Sequence, residues 1–445
     1  MQQALPLTDL PRNFRQAIQA TKILGFRYLW IDSLCIIQDS IEDWRKEAAV
    51  MGKVYKYAML CLAVTGSRDA EGGLFRNRDV MYQSPYRLDI QSKSHAKSYL
   101  ALRSNLWRSG VTEAPLNRRA WVVQERLFAP RTLHFGEEQI YWECRELEAC
   151  ESLPHGIPQR FFELSGIGYE LNGFKRWESA IEKALETASK TQNERTPDGK
   201  DQVQKAYEPW EFAVKEYMRC DLTNPEDKLV ALSGTAMEIQ SILNDEYFAG
   251  LWRGYFIPGL LWYVDGWTFG PKSCRAQPYR APSWSWASVD GYIDYALTSD
   301  FYGDFVDILD VQITPANSAN ALGQVTSGFV KVMGQLIEIA APEVLYWTGL
   351  SISGCFYPDD KAEIVGETYC CLPLKISQVP GCSESLYGLV LELVSGYEYK
   401  RVGFFRIDED ERLEYLGRET PTSSVSRGVG LYFDQAINKQ VLVIV

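Results

Sequence analysis

Three carboxylates near the amino terminus are the residues best suited by position to acid–base chemistry. Asp32 directly follows a β-rich run at 27–31, and Asp43 and Glu47 lie one turn apart on a predicted helix. Glu47 falls between the apolar stripe of that helix, which includes Trp44, and its polar face, a boundary position from which a carboxyl can act as an acid or a base. Asp32 and Glu47 are therefore candidate catalytic residues. The alternative is structural, with Asp43 capping the helix and Glu47 paired with a basic side chain.

A second group of polar side chains lies on one predicted helix further along the chain. The run Arg-Ala-Trp-Val-Val-Gln-Glu begins at Arg119 and ends at Glu125, a further candidate catalytic carboxylate. Arg119 and Gln124, with Trp121 between them, are candidate ligand-binding residues, because a guanidinium and an amide suit an anionic or nucleotide ligand. The alternative is that these groups join the helix to the loop around Asp32 by buried hydrogen bonds. Both interpretations require the two segments to lie side by side.

Other reactive or aromatic side chains favour a structural interpretation. Cys35 shares a predicted loop with Asp32 and Ser33, but nothing near it in sequence supplies a base, so a buried free thiol is favoured over a nucleophile. Trp284 and Trp286 alternate on a predicted strand. Packing in a core or between domains is favoured for them over stacking on a sugar or a base.

Composition excludes several classes of function. The 445 residues include 46 lysines and arginines against 58 aspartates and glutamates, a net charge of −12 that argues against a general nucleic-acid or anionic-membrane binder. No apolar run is long enough for a membrane helix, and the first twenty residues lack a signal-peptide core. The ten cysteines form no C-x-x-C motif and the three histidines are far apart, so we expect free thiols, a cytoplasmic location and no metal site. Phosphate-binding and hydrolase motifs are absent, so no cofactor is evident.

The elements that must position these residues form an α/β pattern. Apolar spacing predicts helix, strand, helix and strand in succession over residues 9–64, with the strands at 27–31 and 59–64. A strand–helix–strand unit of this length predicts a parallel pair. Ligand sites gather beyond the carboxyl ends of such strands, where Asp32 and the candidate ligand-binding residue Ser33 would lie.

The rest of the chain is predicted to change from helical to β-rich. A helix over 117–129 precedes a β-hairpin over 131–144. We expect a helical middle region over 151–275, with a mobile loop near 190–205. From about residue 276 to 445 the apolar period changes to two, which predicts a β-rich carboxyl-terminal domain.

Two sequence blocks resemble the fungal heterokaryon incompatibility (HET) domain. The first is Arg-Tyr-Leu-Trp-Ile-Asp-Ser-Leu-Cys-Ile-Ile-Gln-Asp at 27–39. The second is the run at 119–125, followed by Tyr-Trp-Glu-Cys at 141–144. Further blocks, such as Ala-Pro-Ser-Trp-Ser-Trp-Ala at 281–287, are similar to those of many filamentous-fungal proteins of this group. The resemblance therefore spans nearly the whole chain.

The resemblance implies a cytoplasmic fungal protein of allorecognition, in which encounter with a genetically different partner triggers programmed cell death. It implies protein partners, with a homo-oligomer as one option. The family's domain has been likened to TIR-type signalling domains, some of which hydrolyse NAD at a glutamate, but no TIR motif aligns with this chain residue by residue. NAD is expected as a ligand only in a TIR-like enzyme. An accessory or tailoring enzyme of fungal secondary metabolism is a further alternative.

One departure from the family pattern affects the expected fold. Family domains usually begin with a strand that carries a Leu-Ser-Tyr-x-Trp-Gly-like motif, and this sequence starts after that point. We therefore expect a truncated HET domain at 1–150, with a TIR-like or flavodoxin-like parallel sheet that lacks its first strand. Another segment that replaces the strand is the first alternative. The second is a catalytically inert interaction module.

Overall fold

The computed structural model describes most of the chain in two compact units. The described residues are 6–79, 86–91, 96–101, 103, 105–158, 175–192, 203–265, 273–296, 301–339, 355–364, 369–378, 384–408 and 439–445. The first unit comprises residues 1–180 with 220–223, and the second comprises 181–219 with 224–445. The domain boundaries near residues 150 and 275 stay predictions.

The longer helices of the first unit follow the predicted periodicity, whereas a single helical turn at Asp32–Cys35 forms within a predicted loop. The helices are α1 (Arg12–Ile23), the single-turn α2 (Asp32–Cys35), α3 (Ile41–Tyr57) and α4 (Ala120–Phe128), with 3-10 turns at Leu7–Asp9 and Pro115–Arg118 and a π turn at Arg108–Thr112. Gly25 follows α1 with a φ of 80°, a conformation that glycine adopts without strain. Ser40 caps α3 by accepting a hydrogen bond from the N–H of Asp43.

The strands of the first unit form one mixed sheet and a separate hairpin. They are β1 (Cys61–Ala63), β2 (Tyr86–Gln91), β3 (Ala96–Ala101), β4 (Arg131–Phe135), β5 (Ile140–Cys144) and β6 (Glu148–Cys150). The sheet order is β1-β4-β5-β6, and β2 pairs with β3. β1 runs parallel to β4, with Cys61 opposite Thr132, and the other neighbours are antiparallel. An α/β amino-terminal unit with parallel pairing and the β4–β5 hairpin are thus confirmed.

The predicted strand at 27–31 is wrong. These residues are extended but belong to no strand of the described chain, so the expected parallel pair with β1 does not form. The parallel partner of β1 is β4, which lies almost seventy residues further along the chain. Tyrosine, leucine, tryptophan and isoleucine favour an extended backbone, but a strand also needs a neighbouring edge. Leu29 instead packs on the core of Ala17, Ala20, Leu74 and Phe135.

Helices predominate between residues 177 and 259 of the described chain. They are α5 (Trp177–Gln192), α6 (Glu208–Met218), α7 (Val230–Leu243) and the single-turn α8 (Phe256–Gly259), with 3-10 turns at Pro225–Asp227, Arg253–Tyr255, Trp286–Ser288, Ser318–Asn320 and Lys361–Glu363. The helix predicted from the spacing of Trp177, Ile181 and Ala184 is confirmed, and all three are buried. Most of the predicted loop near 190–205 lies outside the described residues.

The second unit is β-rich, as predicted. Its strands are β7 (Tyr247–Phe248), β8 (Leu251–Trp252), β9 (Trp262–Val264), β10 (Cys274–Arg275), β11 (Val289–Asp290), β12 (Ile293–Tyr295), β13 (Phe301–Asp304), β14 (Asp307–Pro315), β15 (Val325–Gly334), β16 (Ile337–Ile339), β17 (Cys355–Pro358), β18 (Tyr369–Gln378), β19 (Glu384–Ser395), β20 (Glu398–Asp408) and β21 (Gln440–Ile444). Nine of them form one sheet with the central order β13-β18-β19-β20-β21-β15-β14. Its pairs are antiparallel except for a short parallel contact between β20 and β21.

The strand predicted around Trp284 and Trp286 is also wrong. The segment turns into the 3-10 helix Trp286–Ser288, and Ser285 caps that helix through the N–H of Ala287. Both tryptophans are completely buried, and the indole of Trp286 donates to the carbonyl of Gly250 at 3.1 Å. Packing in the core is therefore their role.

Candidate active site in an open groove

An open groove in the first unit gathers part of the predicted site. Its volume is about 1140 Å³, and its walls come from α1, residues 26–33, the end of α3, β1 and the start of α4. Four of the seven predicted site residues line it, namely Asp32, Ser33, Arg119 and Glu125. Their functional roles stay predictions, but the two sequence blocks do meet in space.

The best-defined contact in the groove joins Tyr55 to Glu125. The hydroxyl of Tyr55 donates a hydrogen bond of 2.7 Å to Oε2 of Glu125. The ring of Tyr55 in turn meets Trp30 edge-on, with 5.8 Å between ring centroids. A tyrosine at the end of α3 thus ties the carboxylate on α4 to the extended segment before α2.

Burial raises the pKa of Glu125 to about 6, because a low-dielectric setting disfavours the charged form. The hydrogen bond from Tyr55 and the charge of Arg119 lower this pKa, whereas the charge of Asp32 raises it. Burial also raises the pKa of Tyr55, so its hydroxyl stays a neutral donor. A half-buried carboxyl that titrates close to neutrality at a groove wall is suited to general acid or base catalysis.

Asp32 and Ser33 lie at the start of α2. The side chain of Asp32 accepts a hydrogen bond of 2.7 Å from the backbone N–H of Ser33. Both residues are exposed, and both face the groove. Asp32 therefore presents a carboxylate to solvent at the groove, although the turn uses one of its oxygens.

Arg119 caps α4 from an extended conformation. Its position is set by the backbone, because the N–H of Ala120 donates to the carbonyl of Asp221 and the N–H of Asp221 donates to that of Arg118. The side chain of Arg119 is exposed and forms no ion pair with any described residue. Its guanidinium is therefore available to an anionic ligand in the groove.

The other predicted site residues lie away from the groove. The carboxylate of Glu47 lies 3.9 Å from Nζ of Lys46. Trp121 packs edge-on against Trp44, with 6.3 Å between ring centroids. Gln124 is 2% exposed and packs against Gly52 of α3. Trp121 and Gln124 both contact α3, as Glu125 does through Tyr55, but only Glu125 of these three lines the groove.

Asp43 and Cys35, which the sequence analysis also considered, lie outside the groove lining. Asp43 accepts a hydrogen bond of 2.8 Å from the N–H of Ile37, which holds the turn before α3 together. Cys35 is exposed at the end of α2. The groove contains a different cysteine, Cys61 of β1, whose pKa is raised to about 12 by burial, so this thiol is not activated.

Beside the groove lies a buried charged cluster that the sequence did not indicate. Arg126 donates two hydrogen bonds to the carboxylate of Glu143, from Nη2 at 2.7 Å and from Nε at 2.9 Å. Nε2 of His134 lies 3.1 Å from the same carboxylate. Lys175 donates to the carbonyls of Arg126 and Ala129 and has its Nζ 4.0 Å from Glu143. The only sequence signal was the glutamate inside the Tyr-Trp-Glu-Cys run.

The carboxylate of this cluster is held in its ionised form. Burial opposes ionisation of Glu143, but the charges of Arg126 and Lys175 outweigh it and keep its pKa well below the ordinary value. Burial lowers the pKa of Lys175 to about 8 and also lowers the pKa of His134. Glu143 is therefore an ionised carboxylate held by Arg126 and Lys175, which suits structural support rather than proton transfer by this carboxylate at neutral pH.

Metal and membrane features are not found in the described part of the chain. No group of three or more histidine, cysteine, aspartate or glutamate side chains there is arranged to hold a metal ion. No helix among those residues is both long and apolar enough to cross a membrane.

Comparison with known proteins identifies the amino-terminal segment. Residues 1–125 match the family model described as heterokaryon incompatibility protein (HET). The match contains the first sequence block completely and ends at Glu125, the last residue of the run on α4. This part of the chain is therefore a HET domain, as its resemblance indicated. No curated protein and no solved structure matches the chain.

Proposed function

We propose that this protein acts in fungal heterokaryon incompatibility, where its amino-terminal unit signals non-self recognition and triggers programmed cell death in the cytoplasm. The family match over residues 1–125 supports the general assignment. The finer role is supported by the position of Asp32, Arg119 and Glu125, because both blocks of the match contribute side chains to one open groove.

The observation that carries the proposal is the environment of Glu125. A carboxyl with a pKa near 6, held by Tyr55 and exposed to a groove, is costly to maintain for stability alone. Glu143 shows how the same unit treats a purely structural carboxylate, since it surrounds that group with cations. Glu125 is therefore the residue on which signalling should depend.

Growth of a filamentous fungus after induced expression of the full chain tests this role. We expect growth arrest with the unchanged chain and loss of arrest with Glu125→Gln, which keeps the shape of the side chain and removes its ionisation. Glu47→Gln is the matched control, because Glu47 lies outside the groove, and it should still arrest growth. Normal growth despite folded, expressed protein would refute the proposal, as would equal arrest by Glu125→Gln.

A second candidate function is hydrolysis of NAD, which the titration of Glu125 favours. In such a reaction the ionised carboxylate accepts the proton of an attacking water while the bond between ribose and nicotinamide breaks. Arg119 is available for the diphosphate, because no described residue pairs with its guanidinium. This is the TIR-like version of the proposal.

Release of nicotinamide from NAD by the purified full chain separates the two candidates. An enzyme should lose about 100-fold or more of its rate on Glu125→Gln, as expected for a general base, and keep it on Glu47→Gln. Growth arrest without nicotinamide release would leave signalling through protein contacts as the function.

A further inference from the structure

The groove exposes backbone groups that only another polypeptide backbone can pair as a series. In the described chain, β1 has a hydrogen-bonded neighbour on one side only, namely β4. The extended residues 27–31 line the same groove. Their N–H groups donate no hydrogen bond to any described residue, and the carbonyls of residues 27–30 accept none. Two stretches of unpaired extended backbone therefore face one groove.

Large apolar side chains surround these backbone segments and are exposed. Tyr28 is 80% exposed, Tyr57 79% and Met59 63%, and all three line the groove. Phe26 and Leu24, at 38% and 43%, extend the same apolar rim. Exposed aromatic and methionine side chains concentrated at one groove are typical of surfaces that bind protein.

The charges at the groove specify the occupant further. Five basic side chains line the groove against the three carboxylates of Asp32, Asp69 and Glu125, and three of the basic ones, Arg27, Lys53 and Arg68, form no ion pair with any described residue. The chain as a whole has a net charge of −12, so unpaired basic side chains here depart from the average of the molecule. Their positive charge attracts acidic groups, which increases both affinity and association rate.

We infer that the groove binds an extended segment of a partner polypeptide that adds to the free edge of β1. The segment would pair its backbone with β1, place alternate apolar side chains against the rim of Tyr28, Tyr57 and Met59, and carry at least one acidic residue for Arg27, Lys53 or Arg68. A nucleotide or other small molecule satisfies at most a few of these backbone groups. The inference names the class of partner for the proposed signalling role and rests on that role only for its biological meaning.

Selection of displayed peptides on the purified full chain tests the inference. The probe is a library of twelve-residue peptides with alternating apolar positions and random residues between them. We expect enriched peptides to contain acidic residues and to lose at least tenfold in affinity when alternate backbone amides are N-methylated, because methylation removes donors and leaves side chains unchanged. Amide exchange at β1 and at residues 27–31 should slow when the peptide binds.

Two substitutions at exposed positions provide the controls. Met59→Glu, at the rim, should weaken peptide binding at least tenfold, whereas Tyr397→Glu, a turn residue of the second unit that is 71% exposed, should leave it unchanged. Failure to enrich any peptide, binding that survives N-methylation, or protection of amides elsewhere would overturn the inference. Peptide binding with all these signatures would stand even if the growth assay failed, so the two proposals can fail separately.

Discussion

Glu143 and Glu125 belong to the same unit of the chain but have opposite environments. Glu143 lies on β5 between Arg126, His134 and Lys175 and is 1% exposed. Glu125, one residue before Arg126 on α4, faces the groove and accepts a hydrogen bond from the neutral hydroxyl of Tyr55. Successive residues of a helix point about 100° apart, so Arg126 reaches Glu143 while Glu125 meets Tyr55, although both Glu125 and Arg126 line the groove.

The two carboxylates show that the charges around a buried group set its pKa within one unit of the chain. Burial raises the pKa of a carboxyl, and a surrounding set of cations lowers it again. Glu143 has the cations and stays ionised, whereas Glu125 has mainly a tyrosine and a more distant arginine and titrates near neutrality. The three predictions below test whether this contrast is real.

The largest expected effect is the loss of stability in Glu143→Gln. Removing this charge deprives the buried Arg126 and Lys175 of the carboxylate that compensates their charges, which costs about 3–5 kcal/mol in similar buried pairs. The free energy of opening, measured by amide exchange of β4 and β5, should fall by that amount. Glu113→Gln is the control, because Glu113 forms an exposed pair with Arg108 whose loss costs at most about 1 kcal/mol. A loss below 1 kcal/mol at Glu143 would contradict the structural role.

The next effect is a pH dependence of opposite sign at the two carboxylates. The pKa of Glu125 is about 6 in the folded chain and 4.5 ordinarily, so between these values the folded state binds more protons than the unfolded state. Stability should therefore rise by about 2 kcal/mol as the pH falls from 7 to 4.5, relative to Glu125→Gln, since one pKa unit corresponds to about 1.4 kcal/mol. The pKa of Glu143 is depressed, so its contribution is complete above 4.5 and is lost as the pH falls further.

Amide-exchange free energies collected from pH 7 down to pH 3 for the unchanged chain and both glutamine variants measure these contributions. A flat difference between the unchanged chain and Glu125→Gln over this range would show that Glu125 has an ordinary pKa. The proposed difference between a raised pKa at Glu125 and a depressed pKa at Glu143 would then be refuted.

The smallest effect is expected from Tyr55→Phe. The substitution removes one hydrogen bond to a half-buried carboxyl, at a cost of about 1 kcal/mol. Because this bond lowers the pKa of Glu125, the pKa should rise above 6 in the variant. Carbon-13 chemical shifts of labelled glutamate carboxyls, followed through a pH titration, report the change directly. Tyr57→Phe is the control, since Tyr57 is 79% exposed, and an equal shift there would argue against the specific contact.

Several parts of the fold could be predicted because they depend on neighbours in sequence. The apolar spacing of α1 and α3 and the alternation of the β4–β5 hairpin are local signals, and each is confirmed, but the cap of α3 is Ser40 rather than Asp43. The prediction of a strand at 27–31 was wrong because a strand must pair with the edge of another strand, which can lie far away in sequence. β1 pairs with β4 instead. The strand predicted around Trp284 and Trp286 also does not form, since burial of both tryptophans in the core overrides the alternation that suggested a strand.

Patterns in the amino-acid sequence were sufficient to predict the longer helices, the β4–β5 hairpin and the change from an α/β unit to a β-rich one. They also contained the two blocks that resemble the HET domain. Only the tertiary structure decided which polar groups meet. Asp32 and Glu125 are separated by more than ninety residues and share a groove, Glu47 does not reach it, and Tyr55 joins Glu125 although the sequence marked it only as part of an apolar stripe. Helix formation depends on hydrogen bonds between close neighbours in sequence, whereas a groove depends on the packing of segments far apart in the chain.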